Sequence, residues 1–207
     1  SRARVTSEDG WQDVSPAVEE LDIAALTPEQ LRLEAGRLVD VLAEIAIRDA
    51  DGLVDWLGMD LGSDGEKFSF GPVGNSLYGG TAGVALLAAH FPEDVGRSDL
   101  LKALMPPLLQ IGEPNRDGMR LRWWRDQALG LSGCGGTLLS LQHLAASSEN
   151  DLRESLQELE SSLISALLPD HIRSDLTLDV IGGVAGLIGP LLENGSARAL
   201  ECAVLCG

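Results

Sequence analysis

Three stretches decide how this chain reads: Leu77-Tyr-Gly-Gly-Thr-Ala-Gly-Val-Ala-Leu-Leu87, Gly130-Leu-Ser-Gly-Cys-Gly-Gly-Thr-Leu-Leu-Ser-Leu141 and Asp179-Val-Ile-Gly-Gly-Val-Ala-Gly-Leu-Ile188. Each contains Gly-x-x-Gly and runs on into an apolar helical stretch. The paired glycines are Gly80 and Gly83, Gly133 and Gly136, Gly183 and Gly186, so the motif recurs at intervals of 53 and 50 residues. Between consecutive motifs there is room for one more amphipathic helix. A period near 50 with two helices per unit is the mark of a stacked helical-hairpin array, in which each unit leaves an apolar face for its neighbour to cover. Glycines at a helix entrance serve tight turns with positive φ and close backbone approach. They are also expected to leave the first helical N–H groups open towards whatever lies in the middle. A phosphate-cradling loop is excluded, because no Gly-Lys-Ser/Thr follows any motif, and a dinucleotide fingerprint fails for want of a strand–turn–helix unit.

Outward from the motifs, Thr27-Pro28-Glu29-Gln30 announces a helix: a capping threonine, proline at the first helical position and a glutamine completing a capping box. Leu31, Leu38, Leu42 and Ile45 follow at helical spacing and predict one buried stripe, ending near Asp49-Ala-Asp-Gly52. That tetrapeptide lacks the later ligands of a calcium loop and reads as a plain turn. Residues 53–76 read as Trp56-Leu-Gly-Met59 followed by a polar loop. Further helices are expected from Gly80 to His90, from Asp99 (capped by Ser98) to Leu109 with Pro106-Pro107 bending or ending it, and from Gly133 to Ala145. The clearest amphipathic helix spans 151–167, with Leu152, Leu156, Leu159, Leu163 and Leu167 on one face. Two more begin near Gly183 and Ala197. Residues 1–26 read as a polar lead-in from a preceding domain, and 27–207 as one all-α unit.

The composition narrows the function classes. A net charge of −17, from 15 basic and 32 acidic residues, argues against a nucleic-acid surface and against docking on anionic lipid. Cys134, Cys202 and Cys206 form an odd, sparse set without a signal peptide, which points to a reducing cytoplasm. No apolar run reaches the roughly 20 residues of a membrane span. Aromatic residues are only 4%, against abundant Leu, Ala and Gly, which suits close-packed helices. The chain stops inside the apolar pattern Ala197–Cys206 and so reads as a piece of a longer protein.

The glycine segments resemble motifs of the lanthionine cyclase (LanC-like) family. Leu77–Leu86 is similar to its Leu-Tyr-x-Gly-x-x-Gly-x-Ala-Leu pattern, and Asp179–Gly186 to its Asp-Val-Ile-x-Gly-x-Ala-Gly pattern. Trp56-Leu-Gly, a polar loop and Gly71-Pro-Val-Gly-Asn-Ser-Leu-Tyr78 resemble the entry into the cyclase half of the LanM enzymes, class II lanthipeptide synthetases. The likeness covers roughly residues 28–207. It implies an α/α-toroid of seven inner and seven outer helices, of which this chain would supply about three repeats. It further implies thioether (lanthionine) ring formation: in the complete domain zinc holds a cysteine of a dehydrated precursor peptide as thiolate, and the thiolate adds to dehydroalanine or dehydrobutyrine. The partner is then a ribosomally made precursor peptide.

The family's zinc ligands lie in Cys-Gly and Cys-His-Gly motifs of later repeats, and neither occurs in this chain. Cys206-Gly207 imitates the first but falls on the helix after the third glycine motif, ahead of the repeats where the ligand belongs. No metal ligand is therefore assigned, and the chain alone is expected to be inactive. Asp179 is the one residue carried over as catalytic, matching the family's acidic residue that helps orient a histidine further along; the competing role is a cap on the helix entrance. His90, His143 and His171 match no family position. Cys202 and Cys206, four residues apart, could share a metal but read better as small buried hydrophobes. Trp123-Trp124, flanked by Arg122 and Arg125, reads as a loop anchored on the toroid wall in preference to a peptide-contacting loop. Other toroid enzymes, glycosidases or terpene cyclases, need paired carboxylates or an Asp-rich metal motif, which are missing. A zinc-free LanC-like scaffold that binds a peptide or protein is the alternative. Either way the last repeat's uncovered face predicts self-association.

Overall fold

The computed structural model describes residues 27–61, 68–91, 95–112, 124–125 and 127–207. The chain divides into two units, Ser1–Ala35 and Gly36–Gly207, with the boundary inside the first helix. The polar lead-in, Arg122 and Trp123 lie outside the described residues.

Helix α1 (Pro28–Ile45) starts as its sequence dictates. The Thr27 N–H donates to Gln30 Oε1 at 2.8 Å and the Gln30 N–H donates to Thr27 Oγ1 at 3.2 Å, a closed reciprocal capping box. The expected buried stripe is not its buried face. Leu38 and Ile45 are exposed and Leu42 is half-buried, whereas Gly36 and Val39 are buried. Gly36 matters because the Arg97 guanidinium lies where its Cβ would be. Arg97 donates Nε and Nη2 to both carboxylate oxygens of Asp40, at 2.9 and 2.8 Å, and sits 5.0 Å from the Phe91 ring centre. The bidentate Arg97 bond holds the Asp40 carboxyl below its ordinary 3.8. A depressed folded-state pKa contributes stability above the ordinary carboxylate range and loses it as pH falls through the lowered value. Asp40→Asn should therefore lower the urea midpoint at pH 7, and the gap from wild type should close as pH drops below about 3.8. A gap that persists at pH 2 would assign the effect to something other than the charge.

Residues 47–61 and 68–72 form small β-hairpins, which corrects the all-α expectation and the loop reading of 53–76 where it falls on described residues. Strands β1 (Ile47–Arg48) and β2 (Val54–Asp55) form a tiny antiparallel hairpin. Its turn is the plain turn expected of Asp49-Ala-Asp-Gly52: Asp49 Oδ1 accepts from the N–H groups of Asp51 and Leu53, both at 2.9 Å, and Gly52 takes φ +80°. Strands β3 (Leu57–Leu61) and β4 (Phe68–Pro72) pair antiparallel, Met59 opposite Phe70 and Leu61 opposite Phe68.

The remainder is helical: α2 (Thr81–Ala89), α3 (Val95–Leu109) with a 3-10 turn (Gln110–Gly112), α4 (Cys134–Ser147), α5 (Asn150–Ala166), a short α6 (Pro169–Ser174), α7 (Ala185–Asn194) and α8 (Ala197–Leu205). Ser98 does not cap α3, which begins three residues earlier; Pro106 and Pro107 sit inside it near its end. The helices fall into two layers. In one, α2, α4 and α7 pack in succession; in the other, α3 touches α5 and α5 touches α8. Each motif helix also packs on the helix that follows it in the second layer: α2 on α3, α4 on α5, α7 on α8. The core between layers is Leu100, Leu104, Leu108, Leu138, Leu141, Leu144, Leu156, Leu163, Leu187 and Leu191, nearly all fully buried. On α5 the predicted face is the buried one, Leu156, Leu159, Leu163 and Leu167 being buried and Leu152 half-buried.

Helix C-termini are closed largely by side chains from elsewhere, because most lack a left-handed glycine. Trp56 Nε1 donates to Leu42 O at 2.9 Å, Trp124 Nε1 to Leu163 O at 3.0 Å, Arg153 Nε to Ala145 O at 3.1 Å and Arg198 Nη2 to Leu167 O at 2.6 Å. These carbonyls belong to last turns or caps, and Ala145 O also accepts the Ser148 N–H at 3.3 Å. Among the described residues only α7 ends on a left-handed glycine, Gly195 at φ +66°.

Candidate functional site

The three loops that enter α2, α4 and α7 are built alike. A Cβ on the first glycine of each motif would collide with a backbone carbonyl five or six residues upstream: Gly74 O for Gly80, Ala128 O for Gly133, Thr177 O for Gly183. The second glycines repeat the arrangement, Gly83 on Leu77 O, Gly136 on Leu131 O, Gly186 on Val180 O. The carbonyl against each first glycine accepts the N–H of the next residue: Thr81 at 2.8 Å, Cys134 at 2.8 Å, Val184 at 3.0 Å. The loop therefore folds back onto its own helix entrance, and only a residue without Cβ allows the contact.

Among the described residues only Gly52 and Gly195 have positive φ, so the motif glycines serve close approach and not left-handed turns. Nor do the helix entrances stand open. The N–H groups of Cys134, Gly135 and Gly136 donate to Ala128 O, Leu129 O and Gly130 O, spending what an anion site would need.

Neighbouring loops are tied to one another. Leu131 and Ser132 donate their N–H groups to Val180 O and Ile181 O at 3.0 and 2.8 Å, and Gly130 donates to Gly182 O at 3.3 Å. On the other side Thr137 Oγ1 donates to Asn75 O at 3.2 Å. The loop face is thus one continuous surface. Tyr78, Leu176, Leu178, Val180 and Ile181 are exposed on it. A cavity of about 530 Å3 opens where the β3–β4 hairpin meets this face, lined by Met59, Ser76, Tyr78, Gln127 and Ser132 among others.

Asp179 lies on that face, exposed, with Oδ1 accepting the N–H groups of Ile181 and Gly182, both at 2.7 Å. It caps the turn into the third motif and not α7 itself, which starts at Ala185. The structure does not bring it together with the histidines. His90 is exposed at the end of α2 with Nδ1 2.8 Å from Leu86 O; His143 is exposed on α4, and His171 lies on α6. Trp124 is fully buried and anchored on α5 through its indole N–H.

Cys134 on α4 lies apart from Cys202 and Cys206 at the end of α8, and burial raises all three thiols. Burial pushes Cys134 up to about 12, and its Sγ donates to Trp124 O at 3.4 Å. Burial, with Cys202 and Asp175 nearby, pushes Cys206 up to about 11, and burial raises Cys202 as well. Zinc takes thiolates, and no three His, Cys, Asp or Glu side chains are clustered to hold a metal among the described residues. These residues do not fit a zinc ion.

Glu160 was missed by the sequence reading. It is 5% exposed on α5, and Oε1 accepts from Gln142 Nε2 at 2.7 Å and Asn194 Nδ2 at 2.9 Å. The signal was a carboxylate beside the apolar stripe, one residue after Leu159.

No protein-family model matches this chain, and no curated protein matches it significantly. Among the described residues no helix is long and apolar enough to cross a membrane.

Proposed function

We infer that this chain is the first part of a LanC-like α/α-toroid, the cyclase domain of a class II lanthipeptide synthetase acting on a ribosomal precursor peptide in the cytoplasm. The observation that carries the reading is the threefold repetition of one loop-on-glycine geometry, at the entrances of three helices that pack side by side with partner helices behind them. That alternation is compatible with the inner and outer rings of a toroid. The exposed Leu192, Leu200 and Val204 on α7 and α8 suit a further repeat packing there, or self-association of the chain alone. In this reading catalytic zinc would be held by the Cys-Gly and Cys-His-Gly motifs of later repeats, and a zinc-free scaffold that binds a peptide or protein is the second reading.

In this reading Asp179 is a positioning residue, acting on the histidine that the family supplies from a later repeat. The test uses the protein that carries this chain, with a dehydrated, cysteine-containing precursor peptide. Ring closure leaves the mass unchanged but makes the peptide thiol resistant to alkylation. Asp179→Asn keeps an acceptor oxygen for Ile181 and Gly182, so the turn should hold, while the charge is lost. Closure should slow by about tenfold or more with the melting temperature unchanged, and the pH profile of kcat should shift. Thiols that stay alkylatable with the unaltered protein would remove the cyclase reading and leave the scaffold.

A further inference from the structure

On the side of the fold where α4 and α7 end, a cleft of about 490 Å3 runs between these helices and α5. That volume is within the usual range of small-ligand sites. Its lining includes Gln142, Arg153, Gln157, Glu160, Glu193 and Asn194. Glu160 is the unusual member. Its Oε1 is spent on the amides of Gln142 and Asn194, while Oε2 accepts no hydrogen bond and is the oxygen left to face the cleft. The side chain is only 5% exposed, so this oxygen reaches solvent through the cleft alone and has no protein donor beside it. Arg153, the cation in the lining, does not supply one: its guanidinium donates to Ala145 O and Ser148 O at the end of α4. Beside Glu160, Gln142 Nε2 also donates to Pro190 O at 2.7 Å, and its Oε1 is enclosed without a donor. Two neighbouring acceptors therefore lack N–H groups, and Glu193 adds a second negative charge to the lining.

We propose that this cleft binds an organic cation bearing N–H donors, a guanidinium or primary ammonium group, with Glu160 Oε2 as its anchor. A divalent ion is a poorer match. Magnesium and calcium take six or more oxygens, and no three acidic or imidazole groups converge there. A guanidinium offers several donors in a plane, and its charge meets a carboxylate that nothing else neutralises.

Calorimetric titration of the protein carrying this chain tests the site, with N-acetylarginine amide, N-acetyllysine amide, tetramethylammonium and magnesium chloride as probes. The first two should bind, and tetramethylammonium, which has no N–H, should not. Glu160→Gln retains an oxygen for Gln142 and Asn194 and removes the charge, so the melting temperature should hold while affinity falls about tenfold or more. If that variant does not fold, Glu193→Lys replaces it, placing a cation in the lining that should abolish binding. An arginine-containing tripeptide binding more tightly than the free guanidinium ion assigns the site to a peptide side chain; equal affinity assigns it to a small free cation. The proposal is overturned if neither N–H probe binds, if magnesium binds in their place, or if the folded variant binds them as wild type does.

Discussion

Gly183→Ala should destabilise the chain by about 3 kcal/mol or more, the cost of forcing a methyl group into a filled, rigid site. The new Cβ would lie on the carbonyl of Thr177, with the Asp179 nitrogen only 3.0 Å away. Neither obstacle is the end of a flexible side chain. Thr177 O is also the acceptor for Val184 N–H at 3.0 Å, so pushing it aside opens the entrance to α7. The disturbance spreads, since the same loop accepts three backbone hydrogen bonds from residues 130–132. Gly189→Ala is the internal control. Gly189 is exposed within α7 and nothing lies within 4 Å of its added Cβ. There alanine should stabilise by about 0.5–1 kcal/mol, through helix propensity alone. Chemical denaturation of both variants checks the pair. Equal effects would mean that the motif glycines are ordinary helix residues and that the loop-on-glycine contact is not what selects them.

What the sequence reveals about this fold is whatever is local. The capping box at Thr27 and Gln30 closes within four residues, and the α5 stripe recurs every three or four; both came out as read. The glycine pairs announced their helices because each pair stands at a helix entrance, where the loop's carbonyls leave no room for a Cβ. The hairpins escaped for the same reason in reverse. Leu57, Met59, Phe68 and Phe70 alternate as strand residues do, but their shared face is exposed, so the pattern did not report burial. The α1 stripe misled because the contact that buries this helix is polar: Arg97 reaches across 57 positions to Asp40 and fills the space over Gly36. For the candidate site the division is similar. Asp179 could be read as a cap because its donors, Ile181 and Gly182, lie two and three residues along. Glu160 could not be read as an anchor, since its partners lie 18 and 34 positions away on two other helices.

Trp124 carries the other large expectation. Trp124→Ala should cost about 4 kcal/mol, near the upper end for buried aromatic truncations. The ring is fully buried, so its loss leaves a cavity beside α5. It also strands Leu163 O. That carbonyl is in the last turn of α5, and the neighbouring Leu167 N–H donates one residue along, to Ile164 O at 3.2 Å. The indole N–H is thus the donor that closes the helix end, at 3.0 Å. Trp124→Phe separates the two contributions. It keeps most of the buried apolar area but leaves the carbonyl unpaired, and should cost about 1–3 kcal/mol. Urea denaturation gives both values, and amide exchange at Leu167 should quicken in each variant as the α5 terminus frays. A Trp124→Phe protein as stable as wild type would show that water replaces the indole at Leu163 O. A Trp124→Ala protein that loses less than about 1 kcal/mol would fall below the range for truncating a buried aromatic residue and would contradict the burial itself. The same logic extends to Trp56, whose indole closes α1 at Leu42 O: in both places a tryptophan fills a gap and ends a helix with one side chain.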